Sequence, residues 1–311
     1  MPAGKVRGSD RMTPERQKLA VLMALWRRES PAHLNACLES LAAQTVTADE
    51  ILIVKDGPLG EELESVLRAW ERKLPIRTLQ LKENVGTGAA MRLGLEQCRH
   101  ELIARMDSDD VCVPRRFEIQ LRFMEAHGEI DVLGGAIREF EQTPEDGKLV
   151  RSVPRDHASI AAFARRRNPV NQMTVMLRRS AVMAAGNYRT WIGFEDYDLW
   201  VRMVCHGKRF HNLEEVLVLA RCGSGMQQRR GGWAYLKREA GLMWEFRRMG
   251  FLTKGEAVRN IAWRVPARLV PAWWRRPIYS LFLRRRASGA SDLDPEKTDR
   301  PGTGTKAREN G

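Results

Sequence analysis

Short apolar runs alternate along the chain with stretches whose apolar residues recur every three or four positions. The first run, LAVLMAL from Leu19 to Leu25, reads as a buried strand. After it come Ser30 and Pro31, an N-cap with proline at the first helical position, and then Leu34, Leu38 and Leu41 on one helical face. EILIVKDG, from Glu50 to Gly57, predicts a second strand and its turn, with Leu63, Val66, Leu67 and Trp70 marking another amphipathic helix. IRTLQL, from Ile76 to Leu81, predicts a third strand leading into ENVGTGAAMRLGLEQC, a glycine-rich turn that opens a helix. A fourth strand, ELIARM, delivers RMDSDD, after which Pro114 starts a helix with Phe117, Leu121 and Met124 on one face.

Beyond Glu125 the alternation weakens. DVLGGAIREF and NQMTVML predict strands separated by a charged loop around EQTPEDGKL. RRSAVMAAG predicts a short helix ending at Gly186, EDYDLWVRMVCHG a longer one ending at Gly207, and EEVLVLARC a last strand. Strands alternating with helices define an α/β class with a mostly parallel central sheet flanked by helices, Rossmann-like in its crossovers. Residues 1–17 and 287–311 are expected to be disordered, residues 18–252 to form the folded domain and residues 253–286 a basic, aromatic, helical C-terminal segment.

Composition narrows the partners. The 311 residues carry a formal charge of +13 and are 43% hydrophobic, enough for a substantial core and basic enough to favour polyanions. The five cysteines show no C-x-x-C pair, so neither a disulfide framework nor structural zinc is indicated, and reduced thiols in a cytoplasmic protein are expected. The N-terminus has no apolar core of a signal peptide, and no uncharged apolar run nears the roughly 20 residues of a membrane span.

In an open parallel sheet, ligands bind outside the C-terminal ends of the strands. Those ends are Trp26 to Glu29, Lys55 to Gly57, Asn84 to Gly88 and Asp107 to Asp110. Clustered carboxylates at a strand end suit a hard divalent cation that also takes substrate phosphate oxygens; the alternative is a turn that caps the helix near Pro114. Gly86 and the helix N-terminus after it offer backbone N–H groups to phosphate, with Arg92 one turn further in; ordinary helix-start packing is the alternative. A dinucleotide fingerprint fits poorly, because Met91 stands where the third glycine belongs. Glu195, Asp196 and Asp198 open a helix, either as acids complementing its dipole or with one of them acting as a general base.

Together, LAVLMALW with CLESLAAQT, EILIVKDG, ENVGTGAAMRLGL, ARMDSDDVCVPRRFEIQ and GFEDYDLWVRM resemble family 2 glycosyltransferases of the GT-A type, in the family's order. VKDGP, RNPVNQMTVM and GMQQRRGG are similar to transferases of bacterial exopolysaccharide and lipopolysaccharide assembly. The resemblance implies an inverting transferase taking a sugar from a nucleotide-diphosphate donor, with UDP-sugar the expected class. The implied acceptor is a glycan or polyprenyl-linked glycan. It further implies that Asp56, Asn84, Gly86, Arg92 and Asp107 hold the donor, that Asp109 binds Mg²⁺ or Mn²⁺, and that Asp196 is the catalytic base. Glu195, Asn171, Gln172, Arg229 and Arg230 are implied as accessory. The alternatives are a non-catalytic sugar-nucleotide or membrane-binding scaffold and a nicotinamide-dependent oxidoreductase. Between Gly255 and Arg286, arginines interleave with Trp263, Trp273, Trp274, Tyr279 and Phe282, the pattern of a segment lying on the cytoplasmic face of the inner membrane. A helical face docked on the core is the other reading, and with no nucleic-acid motif present no nucleic-acid partner is expected.

Overall fold

The computed structural model describes residues 16–222, 232–269 and 285–286. In chain order these form β1 (Leu19–Leu25), α1 (Pro31–Ala42), β2 (Glu50–Lys55), α2 (Glu61–Trp70), β3 (Ile76–Gln80), α3 (Thr87–Gln97), β4 (Leu102–Arg105), β5 (Val111–Cys112), α4 (Arg116–Ala126) and β6 (Val132–Phe140). There follow β7 (Leu149–Arg151), α5 (His157–Ala164), β8 (Met176–Arg178), α6 (Arg179–Ala184), α7 (Glu195–Cys205), β9 (Phe210–Arg221), α8 (Trp233–Arg248), α9 (Lys254–Leu269) and β10 (Arg285–Arg286).

Strands β3, β2, β1 and β4 pair in parallel, in that order across the sheet. Strand β8 runs antiparallel to both β4 and β6, so β6 regains the direction of β4, and β9 lies parallel to β6. Six of these seven strands therefore point the same way, and the chain segments leaving β1, β2, β4 and β9 gather at one edge. Both faces of β1 are covered, which is why it reads as a continuous apolar run rather than an alternation. Leu19, Val21, Met23 and Leu25 pack with α1, α2 and α4 on one side. Ala20 and Leu22 pack with α3, α6 and α7 on the other. Each fully buried aliphatic side chain contributes roughly 1.5–3 kcal/mol relative to exposure. A third cluster joins Tyr197 and Val201 of α7 to Leu242, Met243 and Phe246 of α8 and Ala257 of α9.

Several expectations change. NQMTVML is not one strand: residues 172–174 form a 3₁₀ turn and only Met176–Arg178 extends. The cause is Asn171, whose amide nitrogen donates to Gly135 O and Arg151 O, and Thr174, whose hydroxyl donates to Asn171 O and curls the segment. Asp110 does not cap the helix after Pro114. That helix begins at Arg116, and the Asp110 carboxylate instead accepts the Arg221 backbone N–H at 2.8 Å. Arg16 and Gln17 lie inside the described fold, Arg16 forming an ion pair with Asp49 at 2.7 Å, while residues 1–15 fall outside it. Helices α5 and α8 are additions to the sequence-based outline.

The start of the C-terminal segment docks on the core. Thr253 and Glu256 form a reciprocal capping box at the start of α9, and Glu256 also pairs with Arg165 at the end of α5. Arg264 bonds Glu239 at 2.8 Å, and the buried Asn260 donates to Arg165 O at 2.6 Å. Residues 270–284 and 287–311 lie outside the described residues.

Candidate active site

The turn after β2 is built around one carboxylate. Asp56, 4% exposed, accepts hydrogen bonds from Val85 N at 2.7 Å, Gly86 N at 3.0 Å and Asn84 Nδ2 at 2.8 Å. It therefore shapes the entry to α3, where Gly86 takes φ +86°, a left-handed value that suits glycine. Of the expected donor-binding residues, Asp56, Asn84 and Gly86 are thus brought together at the open edge of the sheet.

The acidic loop after β4 rests on buried cations. Arg105, 4% exposed, forms an ion pair with Asp107. Burial works against the charge of Arg105, but the facing carboxylate more than offsets this and raises its pKa. Beneath the loop, the fully buried Arg116 donates to Arg105 O at 2.8 Å and to Gln120 Oε1 at 3.1 Å, bracing the strand end. From the β9 side, Arg221 donates its backbone N–H to Asp110 and its Nε to Asp109 O at 3.2 Å. From the β1 side, Glu29 accepts the Ser108 hydroxyl at 3.0 Å. Burial, then the Asp107 and Glu29 charges, push the Asp109 carboxyl up to about 7. Burial and the same kind of repulsion raise Asp110 well above the carboxylate range. Its second oxygen has no hydrogen-bond partner among the described residues.

A second acidic group opens α7. Asp196 accepts Asn168 Nδ2 at 2.6 Å on one oxygen and the Tyr197 N–H at 2.7 Å on the other. Glu195 beside it has its pKa raised by burial and by the Asp196 charge. Asp198 serves the fold: it is fully buried and bonds Arg202 at 2.8 Å, and Arg202 in turn holds Ala185 O and, at 2.6 Å, Asn187 O. Two observations relate the acidic groups. Arg105, ion-paired with Asp107, also has its charged form favoured by Asp196. Gly88, in the first turn of α3, packs so closely that a Cβ there would lie 2.9 Å from Arg189 O and 3.0 Å from Glu195 Cβ.

Other expected residues sit elsewhere. Arg92 reaches Glu96 at 3.5 Å and lines an open depression with Arg189, Thr190 and Trp191, on the α7 side of the site. The Asn171 side chain is committed to Gly135, Arg151 and the backbone of β6 and β7; from its segment the residue that reaches Asp196 is Asn168. Gln172 opens the 3₁₀ turn. Arg229 and Arg230 lie outside the described residues. Sequence reasoning passed over Arg105, Asn168, Tyr188 and Arg221. Only Arg105 left a local trace, as a charge closing an apolar strand.

The donor set fits a hard cation. The Asp109 carboxyl is raised by burial and then by the Asp107 charge, and a buried Asp110 oxygen has no hydrogen-bond partner among the described residues. Among the described residues no three His, Cys, Asp or Glu side chains are grouped to hold an ion.

Acids thus stand beyond β4 and at the head of α7, on a largely parallel sheet. Solved structures share the fold. S. aureus TarS 1-349 in complex with UDP-GlcNAc matches with TM-score 0.60 and 17% identity over 79% of this chain and 70% of that one. The mannosyltransferase PcManGT of Pyrobaculum calidifontis, in complex with GDP-Man and Mn²⁺, matches with TM-score 0.53 and 14% identity over 86% and 81%. The family model described as Glycosyl transferase family 2 matches residues 21–189, and the chain belongs to that family. It is 43% identical to the amylovoran biosynthesis glycosyltransferase AmsE of Erwinia amylovora, over 72% of this chain and 83% of that protein. It is 35% identical to the Escherichia coli UDP-Gal:alpha-D-GlcNAc-diphosphoundecaprenol beta-1,3-galactosyltransferase, over 88% and 99%. An uncharacterized glycosyltransferase of Haemophilus influenzae is 40% identical over 86% of this chain and its own whole length. This membership sets aside the nicotinamide-dependent alternative.

Proposed function

We propose that the protein is an inverting, divalent-metal-dependent transferase that moves a sugar from a UDP-sugar to a hydroxyl of a lipid-diphosphate-linked glycan in the assembly of a cell-surface polysaccharide. The observation that carries this reading is the acidic loop after β4, where the buried Arg105 pairs with Asp107 and also favours the charged forms of Asp109 and Glu195. The relatives support the substrate classes: the galactosyltransferase takes UDP-Gal and a diphosphoundecaprenol-linked GlcNAc, and AmsE serves amylovoran biosynthesis.

Asp56, Asn84 and Gly86 form the cradle for the donor's nucleoside, and Asp107, oriented by Arg105, meets its ribose. Asp109 would hold Mg²⁺ or Mn²⁺, which when bound offsets charge on the diphosphate. Asp196 accepts the proton of the acceptor hydroxyl, and Asn168 holds the carboxylate in the orientation for that transfer. The freed oxygen attacks the anomeric carbon from the face opposite the diphosphate as the anomeric C–O bond breaks, and the bonding pair leaves with the nucleoside diphosphate.

The test is transfer from a panel of UDP-sugars to lipid-diphosphate-linked acceptors with Mn²⁺. Asp196→Asn is expected to lower kcat by about 10²–10⁴-fold. Asp109→Asn is expected to abolish the enhancement of UDP binding by Mn²⁺ in calorimetry. Unchanged turnover in Asp196→Asn, or an unchanged Mn²⁺ enhancement in Asp109→Asn, overturns the corresponding role.

The same reading places the protein at an anionic membrane surface on the cytoplasmic face. Helices α8 and α9 turn their acids inward, with Glu239 paired to Arg264, Glu245 to Arg189 and Glu256 to Arg165. Trp233 and Trp263 stand 73% and 81% exposed among outward basic residues that include Lys237 and Arg259. Among the described residues no helix is long and apolar enough to cross a membrane.

A further inference from the structure

Beside the α7 acids lies a depression of about 380 Å³ lined by Arg92, Arg189, Thr190 and Trp191. It is held to the site by backbone. Gly88 brings α3 against Arg189 O and Glu195 Cβ, and the turn from Arg189 to Phe194, closed by Trp191 N to Arg189 O at 3.0 Å and Phe194 N to Trp191 O at 2.8 Å, runs straight into α7. The turn is braced from behind. The Trp191 ring lies within van der Waals reach of a Cβ built at Gly241 of α8, and the Phe194 and Tyr235 rings are 4.8 Å apart.

Two guanidinium groups meet in this depression, and neither is strongly engaged. Arg92 is 3.5 Å from Glu96, and Arg189 is 3.3 Å from Glu245 and 3.9 Å from Asp198. Ion pairs this long on half-exposed arginines are worth little and leave the charge available to a stronger anion, while they orient the side chains. Paired guanidiniums suit phosphate oxygens, and the indole edge suits the sugar or isoprenyl carbons attached to them. In the same turn Ile192 is 71% exposed among the described residues.

We propose that Arg92, Arg189 and Trp191 form the acceptor subsite, binding the diphosphate through which the acceptor glycan is joined to its lipid. This rests on the transferase reading above and deepens it. A diphosphate could also come from the donor, but the position argues for the acceptor. The donor's diphosphate belongs with Asp109, whose charged neighbours are Asp107, Glu29 and Arg105, whereas the depression adjoins Glu195 and Asp196, where the acceptor hydroxyl must lie. Arg92, which the sequence resemblance assigned to the nucleotide, then contacts the other substrate.

The experiment measures binding of farnesyl diphosphate, farnesyl monophosphate and UDP with Mn²⁺ to the full chain, by calorimetry, in wild type, Arg92→Gln, Arg189→Gln and Asp109→Asn. Wild type is expected to bind farnesyl diphosphate more tightly than the monophosphate. Each arginine variant is expected to weaken farnesyl diphosphate by about tenfold, with UDP affinity unchanged. Asp109→Asn is expected to do the reverse. Farnesyl diphosphate affinity unchanged in both arginine variants overturns the subsite, and so does a loss of UDP affinity equal to the loss of farnesyl diphosphate affinity, which would make it part of the donor site. Loss of farnesyl diphosphate binding alone in the arginine variants supports the subsite even where no UDP-sugar is transferred, so the subsite and the transferase reading fail separately.

Discussion

Gly88 has no side chain because two backbones meet there. A Cβ would press on Arg189 O, which cannot swing aside as a flexible side chain could, and on the first carbon of Glu195. Gly88→Ala is expected to cost about 1–3 kcal/mol in urea unfolding and to lower kcat by displacing Glu195 and Asp196. Wild-type kcat at reduced stability would show that the contact serves packing alone. Asn168 makes a subtler contribution, since it orients Asp196 across 28 residues of sequence. Asn168→Ala is expected to lower kcat about tenfold with little change in KM, because in the proposed function the lost bond positions the base and does not bind substrate. At this scale the position of Asp107 and Asp109 beyond a strand end and of Asp196 at a helix start was legible in the sequence. Arg105 left only a local trace beside Asp107, and Asn168 left none, because its contact with Asp196 spans a distance that no local spacing encodes.

At the scale of elements, one carboxylate helps to fasten the start of α9. The Arg165 hydrogen bond and then the Thr253 N–H hold Glu256 at about 2, below its ordinary 4.5. A depressed folded-state value means that folding favours the charged form. This stabilisation is complete above pH 4.5 and is lost as pH falls towards 2. Wild type is therefore expected to exceed Glu256→Gln in thermal stability at pH 6 and to converge with it near pH 2. A constant gap across that range would show that the carboxylate charge is not what fastens the helix. The parallel strands were legible because strands covered on both faces read as uninterrupted apolar runs. The 3₁₀ turn at residues 172–174 was not, since NQMTVML has strand-like composition and only the Asn171 and Thr174 hydrogen bonds bend it. Nor was the fate of Asp110, whose place before Pro114 suggests a cap while its partner lies on β9.

Across the whole molecule, α9 belongs to the folded body. Truncation after Leu252 would remove the buried Ala257 and Asn260 and the partners of Arg165 and Glu239, and is expected to lower the thermal midpoint on the order of 10 °C. An unchanged midpoint would mean that the helix is a separable appendage. The net charge of +13 and the outward tryptophans are expected to give binding to anionic vesicles that weakens as salt rises. Binding absent at low salt would remove the membrane surface from the proposed function.

By itself the sequence determined the α/β class, the direction of the first four strands and the strand-end placement of the acids. Burial on two faces and helix-start chemistry leave local patterns that a single chain displays. Only the tertiary structure decided which side chains hold each acid and which carboxylates serve the fold instead, because most of those contacts join residues far apart in the chain. Asp198 and Asp196 are two positions apart, yet one is locked to Arg202 in the core and the other is turned toward Asn168 at the site.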